Sequence, residues 1–326
     1  YSVLKVTSSH KNISERIINR VYDNAHRMLG FRFKDNDIVL LKKILALRIA
    51  SLPYMSEAYA NWFSRHKFKL MLKEDACYGG AGVPIINAAR LNGILIAEYQ
   101  HGAILKGHDA YNVADSLAGI TSFKKTLPDF LLTYGKWWGT QTNMPVEKIA
   151  VGNPHLTEST SCQAPAASKK RKILVLGDGL ETQAYLELTR RINDILCGSG
   201  LFVVFRPHPI ERAKVRTEML PKGVQLDRNE DIYASFNESC VVISELSTGL
   251  FEAVGIVNKV LLWNTERARF AFSAIPFRSF STIEELESIL AEEDSLNCDI
   301  GTVPVCDIWE PNWRQNYLRF VERVMG

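Results

Sequence analysis

Along the first half of the chain, apolar residues recur at helical spacing from Ile13 to Met28 and from Ile38 to Phe63, the second stretch interrupted by Pro53. The pattern then changes to short β-rich runs, FKLML, ILIAEY, DFLLTY and IAVG. Between the first two of these runs, VPIINAARLNG reads as a helix closed by Gly93. Strand, helix, strand is the unit of a parallel sheet, whose strands are buried on both faces and read as continuous apolar runs. The second half is clearer: KILVL, a helix from about Glu181 to Cys197, LFVVF, a helix after Pro209, VVIS, a helix from Thr248, and KVLLW. The expected fold is α/β, with two doubly wound units.

Between Glu158 and Lys172 the chain reads ESTSCQAPAASKKRK, without apolar periodicity. A linker is expected over 159–172, between a first domain of residues 1–158 and a second of residues 173–310. Pro311 suits a first helical turn. Beyond it, Trp313, Tyr317, Phe320, Val321 and Val324 form one apolar stripe, so 311–326 is a helix that must bury that face against a domain.

Composition narrows the function classes. In 326 residues, 39 Lys and Arg face 36 Asp and Glu, a net charge of +3, and no basic stripe suggests a nucleic acid partner. No apolar run reaches the roughly 18 residues of a membrane span. The six cysteines are scattered without a C-x-x-C pair, which points to a reducing, cytoplasmic setting. Because the sequence opens at Tyr1 rather than Met, a preceding segment with its own signal or anchor is allowed for.

Ligands of open parallel sheets bind beyond the carboxyl ends of strands. Four polar clusters follow predicted strands: Gln100-His101-Gly102, Gly177-Asp178-Gly179, Arg206-Pro207-His208-Pro209 and Glu245-Leu246-Ser247-Thr248-Gly249. Arg206 can grip a phosphate by two parallel hydrogen bonds, with His208 fixed between prolines; a Pro-rich surface turn is the competing reading. Ser247, Thr248 and Gly249 open a helix and suit a phosphate, or serve as a plain cap. Glu252, one turn inside, can reach a ribose or base hydroxyl or sit in solvent. Gly177-Asp178-Gly179 lacks the third glycine of a dinucleotide fingerprint and the Lys of a P-loop. His101 can titrate near neutrality and accept a hydroxyl proton. Glu98 can orient its ring only if the chain leaves strand geometry there, and His108 and Tyr111 continue the same loop. Asp35-Asn36-Asp37 reads as a capping turn rather than a metal site, and Thr282 with Glu285 as a capping box. No metal and no cofactor is assigned.

These residues together resemble the GT-B glycosyltransferases of bacterial surface-polysaccharide assembly, the group around capsule and teichoic-acid polymerases and bacterial sialyltransferases. E-Y-Q-H-G at Glu98 to Gly102 with His108 and Tyr111, P-D-F-L-L-T-Y-G at Pro128 to Gly135 and V-G-N-P-H at Val151 to His155 look like its acceptor half. R-P-H-P at Arg206 to Pro209 and S-E-L-S-T-G-L-F-E-A at Ser244 to Ala253 look like its donor half. The resemblance implies two Rossmann-like domains facing a cleft and a C-terminal helix crossing back to the first. It implies inverting, metal-independent transfer from a nucleotide-activated sugar to a glycan or lipid-linked glycan, with peripheral association at the inner face of the cytoplasmic membrane. Arg206, His208, Ser247 and Thr248 would neutralise the leaving phosphate while His101 deprotonates the acceptor. The base position reads Gln100-His101-Gly102 where the sialyltransferase branch has an acidic pair, so the donor stays open between CMP-linked sugars and others. A CDP-polyol phosphotransferase and a non-catalytic nucleotide- or glycan-binding subunit are the alternatives.

Overall fold

The structure, a computed structural model, describes residues 4–161, 170–196, 198–272, 276–292 and 303–326. Two long helices, α1 (Ser8–Leu29) and α2 (Asp35–Ser64), open the chain. They are followed by β1 (Leu70–Leu72), α3 (Val83–Leu91), β2 (Leu95–Tyr99), the single-turn α4 (Asp115–Ala118) and α5 (Thr121–Lys124), β3 (Phe130–Thr133), α6 (Lys136–Thr140), β4 (Glu147–Ala150) and α7 (Pro154–Ser161). Then come β5 (Lys172–Leu176), α8 (Thr182–Ile195), β6 (Phe202–Arg206), β7 (Gln225–Leu226), α9 (Ile232–Asn237) and β8 (Ser239–Ser244). The chain ends with α10 (Gly249–Glu252), β9 (Lys259–Trp263), α11 (Glu266–Ala271), β10 (Arg278–Phe280), α12 (Ile283–Ala291), α13 (Val305–Ile308) and α14 (Trp313–Met325). Strands β1 to β4 form one sheet in chain order, and the other six a second sheet. The chain divides into two compact units, residues 1–98 with 119–130 and 324–326, and residues 99–118 with 131–323.

In the first unit α1 and α2 meet through small residues. The buried Ser14 hydroxyl donates to the Lys42 carbonyl at 2.6 Å, and Ala46 and Ala50 are buried. Helix α2 runs through Pro53 without the expected interruption. Proline there removes the donor for the Ile49 carbonyl, but the position is exposed and water can take the bond. Asp35 and Asp37 lie in the first turn of α2, where the helix dipole favours negative charge, rather than capping it. Strands β1 and β2 pair in parallel, Leu70 opposite Leu95. Helix α3 closes as the sequence predicts: Gly93 adopts φ +69°, and the Ile94 N–H returns to the Ala89 carbonyl.

The second unit holds the six-stranded parallel sheet in the order β10-β9-β8-β5-β6-β7. Numbered from β5, that is the Rossmann order 3-2-1-4-5-6, with β5 central and every residue of it buried. Two edge strands, β7 and β10, escape sequence reading because they are two and three residues long. The segment after Pro209 forms turns rather than the expected helix, since the Glu211 side chain folds back to accept from the His208 N–H. The helix expected from Thr248 is a single turn. Thr282 and Glu285 form the predicted capping box of α12. Helix α7 occupies 154–161 and β5 starts at Lys172, while residues 162–169 of the expected linker lie outside the described residues.

The C-terminal segment runs back against the β3 and β4 ends. Gly135 and Gly152 permit this: an added Cβ on Gly135 would collide with the Asp307 carbonyl, and one on Gly152 would lie 2.5 Å from the Glu310 oxygen and 2.8 Å from the Trp313 Cβ. The Glu310 N–H donates to the Tyr134 carbonyl, the Trp138 indole to the Ile308 carbonyl, and Arg323 forms a two-bond pair with Glu147. Of the apolar stripe predicted for α14, Phe320 is buried, Trp313, Tyr317 and Val324 are half-buried, and Val321 is exposed. Gly152 also has φ +92°, so Gly152→Ala combines overpacking with a conformation that alanine avoids. The variant should lose about 2–5 kcal/mol in urea denaturation, whereas Gly119→Ala, in open space, should change stability little.

Candidate active site

The order of the second sheet fixes where a ligand would go. The chain leaves β5 towards β6 on one side and leaves β8 towards β9 on the other, so the switch point of the sheet, where open parallel sheets bind their ligands, lies beyond the carboxyl ends of β5 and β8. Gly177-Asp178-Gly179 follows β5, and Glu245 to Gly249 follow β8. The Ser244 hydroxyl donates to the Leu176 carbonyl at 2.8 Å, tying the two ends together. Gly249 lets α10 close onto this edge, since a Cβ would come within 2.8 Å of the Leu176 side chain.

An ion-pair bridge joins the two strand ends. Arg267 of α11 reaches Asp178 at 2.7 Å and Glu245 at 3.0 Å. Asp178 also accepts from the Leu180 and Glu181 N–H groups. Burial pushes its carboxyl up, but those two bonds and Arg267 outweigh burial and hold it below the ordinary value. Glu245 is buried and accepts from the Thr265 hydroxyl, yet burial dominates and raises its carboxyl. Sequence reasoning missed Arg267, which lies 89 residues from Asp178 and in no motif.

The Arg206 guanidinium is turned to the protein itself. Nη1 donates to Asp227 at 2.7 Å, the Asn229 carbonyl at 2.9 Å and Ser235 at 3.2 Å, and Nη2 to the Glu230 carbonyl at 3.0 Å. Burial raises the Asp227 carboxyl, but Ser235, Arg206 and Lys172 together bring it below its ordinary value. Arg206 thereby fixes the turn that leads into α9. His208 accepts the Ile210 N–H at Nδ1, so the neutral ring carries its proton on Nε2. Gly179 sits against that ring: a Cβ there would be 3.0 Å from Nδ1. Ser247 accepts from the Gly249 N–H, and the Thr248 side chain makes no capping bond to α10.

Helix α9 presents Tyr233 to Glu252. The Tyr233 hydroxyl donates to the carboxylate at 2.6 Å, and the His155 ring stands edge-on to Tyr233 with centroids 5.6 Å apart. Burial raises the Glu252 carboxyl above its ordinary value, partly offset by the Tyr233 bond and by His155. Tyr134 is raised by its own burial and by the Glu252 charge. His155, Tyr233 and Tyr134 were not singled out as site residues in the sequence. His155 closes the V-G-N-P-H motif, the one signal that could have found it.

The loop after β2 is firmly pinned. Gln100 is buried: its N–H donates to the Leu132 carbonyl, its Nε2 to the Gly102 carbonyl, and its Oε1 accepts the Tyr134 N–H, each at 2.8 Å. It is a clamp for the turn that exposes His101. Glu98 is buried and accepts the Cys77 N–H at 2.6 Å. His108 packs edge-on against buried Tyr111, and the Gly107 N–H donates to the Ala271 carbonyl at the end of α11.

No protein-family model and no curated protein matches the chain by sequence. Solved structures are similar in fold. CalG4, the calicheamicin glycosyltransferase, superposes with a TM-score of 0.55 at 10% identity, over 93% of this chain and 84% of its own. A Listeria monocytogenes protein assigned as a UDP-N-acetylglucosamine 2-epimerase gives 0.52 at 11% identity, over 97% and 93%. MnaA of S. aureus, solved with UDP, gives 0.50 at 11%, over 84% and 79%. At these identities the likeness is one of fold: a parallel-sheet α/β architecture of the GT-B, Rossmann-like type.

The raised Glu252 carboxyl gives a stability signature. Its folded form binds a proton more tightly than the unfolded chain, so stability is lost as pH rises from the ordinary value of 4.5 through the raised one. Glu252→Gln keeps an acceptor for Tyr233 and removes the titration. Its melting temperature should match wild type in acid and exceed it by a margin that grows towards neutral pH. A constant difference across pH would contradict the assignment.

Proposed function

We propose that the chain is an inverting glycosyltransferase that uses a nucleotide-activated sugar. The observation that carries this reading is the switch point between β5 and β8 of a Rossmann-ordered sheet, where a glycine turn, two hydroxyl residues and a half-buried carboxyl follow the two strands. In this reading Glu252, held by Tyr233, accepts from a ribose hydroxyl of the donor. His208, through its Nε2–H, and the hydroxyls of Ser247 and Thr248 face the diphosphate or monophosphate. Arg206 is a positioning residue: it sets the 227–231 turn and, through α9, the aim of Tyr233 at Glu252.

His101 supplies the other half of the chemistry. Its ring takes the proton of an acceptor hydroxyl as that oxygen attacks the anomeric carbon. The bond from that carbon to the phosphate oxygen breaks, and the nucleotide leaves with the electron pair. Fixed donors at the departing phosphate strengthen as its charge develops, so they favour the transition state over the ground state. Attack opposite the leaving group inverts the anomeric centre, and protein groups rather than a divalent cation neutralise the phosphate. The neighbour solved with UDP supports a uridine donor, and the motif resemblance a cytidine one.

A peripheral seat on an anionic membrane belongs to the same reading. Residues 5–69 carry thirteen Lys and Arg against five Asp and Glu. Ile17 and Val21 of α1 and Leu40, Ile44 and Leu47 of α2 are exposed beside them. No helix among the described residues is long and apolar enough to cross a bilayer.

Two experiments test these statements. Thermal-shift titration with CMP, CDP and UDP should single out one nucleotide; His101→Ala should keep that shift and lose transfer by at least about a hundredfold, while Glu252→Ala should lose the shift. Acceptor-free conversion of UDP-N-acetylglucosamine to its 2-epimer, or equal loss of nucleotide binding in both variants, would overturn the assignment. Vesicles containing phosphatidylglycerol should sediment the protein and phosphatidylcholine vesicles should not, with release at about 0.5 M salt.

A further inference from the structure

A cavity of about 510 Å³ lies beside the loop that carries His101, lined by Lys106, Asn112, Thr140, Gln141, Thr142 and Asn143. Its walls are stapled together before any ligand arrives. The Asn143 side chain accepts the Val113 N–H at 2.8 Å and donates to the Val113 carbonyl at 2.7 Å. The Thr142 hydroxyl donates to the Tyr111 carbonyl, and Asn112 donates to the Leu105 carbonyl at 2.8 Å. A preformed pocket spares a ligand the cost of ordering it.

The lining selects its occupant by chemistry. All six side chains are polar or charged, and none is aromatic, so a nucleobase finds no ring to stack on. Amides and hydroxyls suit a polyhydroxylated ligand. Lys106 is the single charge of the lining and is exposed, and no ion pair of it is found among the described residues. Gln141 is 6% exposed; its Nε2 donates to Thr140, while Oε1 has no hydrogen-bond partner. An orphaned buried acceptor is costly, and a hydroxyl donor removes that cost.

We propose that this cavity binds a sugar bearing an anionic group, with the anion on the Lys106 ammonium and ring hydroxyls on the amide lining, Gln141 among them. That the sugar belongs to the acceptor glycan rests on the transferase reading; the binding itself does not. Saturation-transfer NMR on the full chain with glucuronate, glucose 6-phosphate and glucose tests it. At least one anionic sugar should bind more tightly than glucose, and the tighter of the two names the anion. Lys106→Met should weaken it about tenfold, as expected for one charge-assisted hydrogen bond, and Lys106→Arg should restore most of the loss. Lys106 is exposed, so both variants should fold, which their unchanged thermal shift with the preferred nucleotide would verify. Failure of both anionic sugars to exceed glucose, or a Lys106→Met variant that binds as wild type, overturns the inference. Nucleotide binding without anionic-sugar binding sinks this inference alone, and the reverse sinks only the transferase reading.

Discussion

Every residue of β5 is buried, so each of its backbone groups must be matched by a neighbouring strand, and β6 and β8 do so on its two sides. This satisfaction cannot stop abruptly at Leu176. The ladder is carried past the strand end by the Gly177 N–H on the Arg206 carbonyl and by the Ser244 hydroxyl on the Leu176 carbonyl. The same device recurs in the first sheet, where the Gln100 side chain extends the ladder by accepting the Tyr134 N–H. Polar residues that follow these strands are therefore held in fixed turns, and fixed turns are what a site needs.

Much of this was readable from hydrophobic pattern. Continuous runs such as KILVL and LFVVF have no polar face to offer solvent, which demands a parallel sheet covered on both sides. The turns at Gly93 and the capping box at Thr282 were legible because their chemistry is local. Elements decided by tertiary contacts were not. The turns after Pro209 exist because Glu211 accepts from both the His208 N–H and the Thr182 hydroxyl, the latter 29 residues upstream. Strands of two or three residues have no period to detect, and Pro53 is harmless only because its side of α2 is open.

The site divides along the same line. Position was legible: three of the four polar clusters directly follow strands, and the other begins with Arg206, the last residue of β6. Side-chain assignment was not, because the partner that decides it lies far along the chain. Arg206 reads as a phosphate clamp until Asp227, Asn229, Glu230 and Ser235 are seen around it, and then it reads as the anchor of a turn. Gln100 similarly changes from an acceptor-pocket group into a clamp. His155 and Tyr233, 78 residues apart in sequence, meet at Glu252 through folding alone.

That meeting imposes a physical bargain on Glu252. Burial disfavours its charge, and one tyrosine bond and one nearby imidazole recover only part of the loss, as the raised carboxyl records. The carboxyl is therefore poised: any ligand that brings hydroxyl donors to it stabilises the ionised form, and by reciprocity ionisation strengthens that ligand. Asp178 stands at the other limit, already satisfied by two backbone N–H groups and Arg267, and so has little to gain from a further donor. Of the two carboxyls at this sheet edge, Asp178 shapes the turn, and Glu252 is the one whose energetics leave room for a ligand.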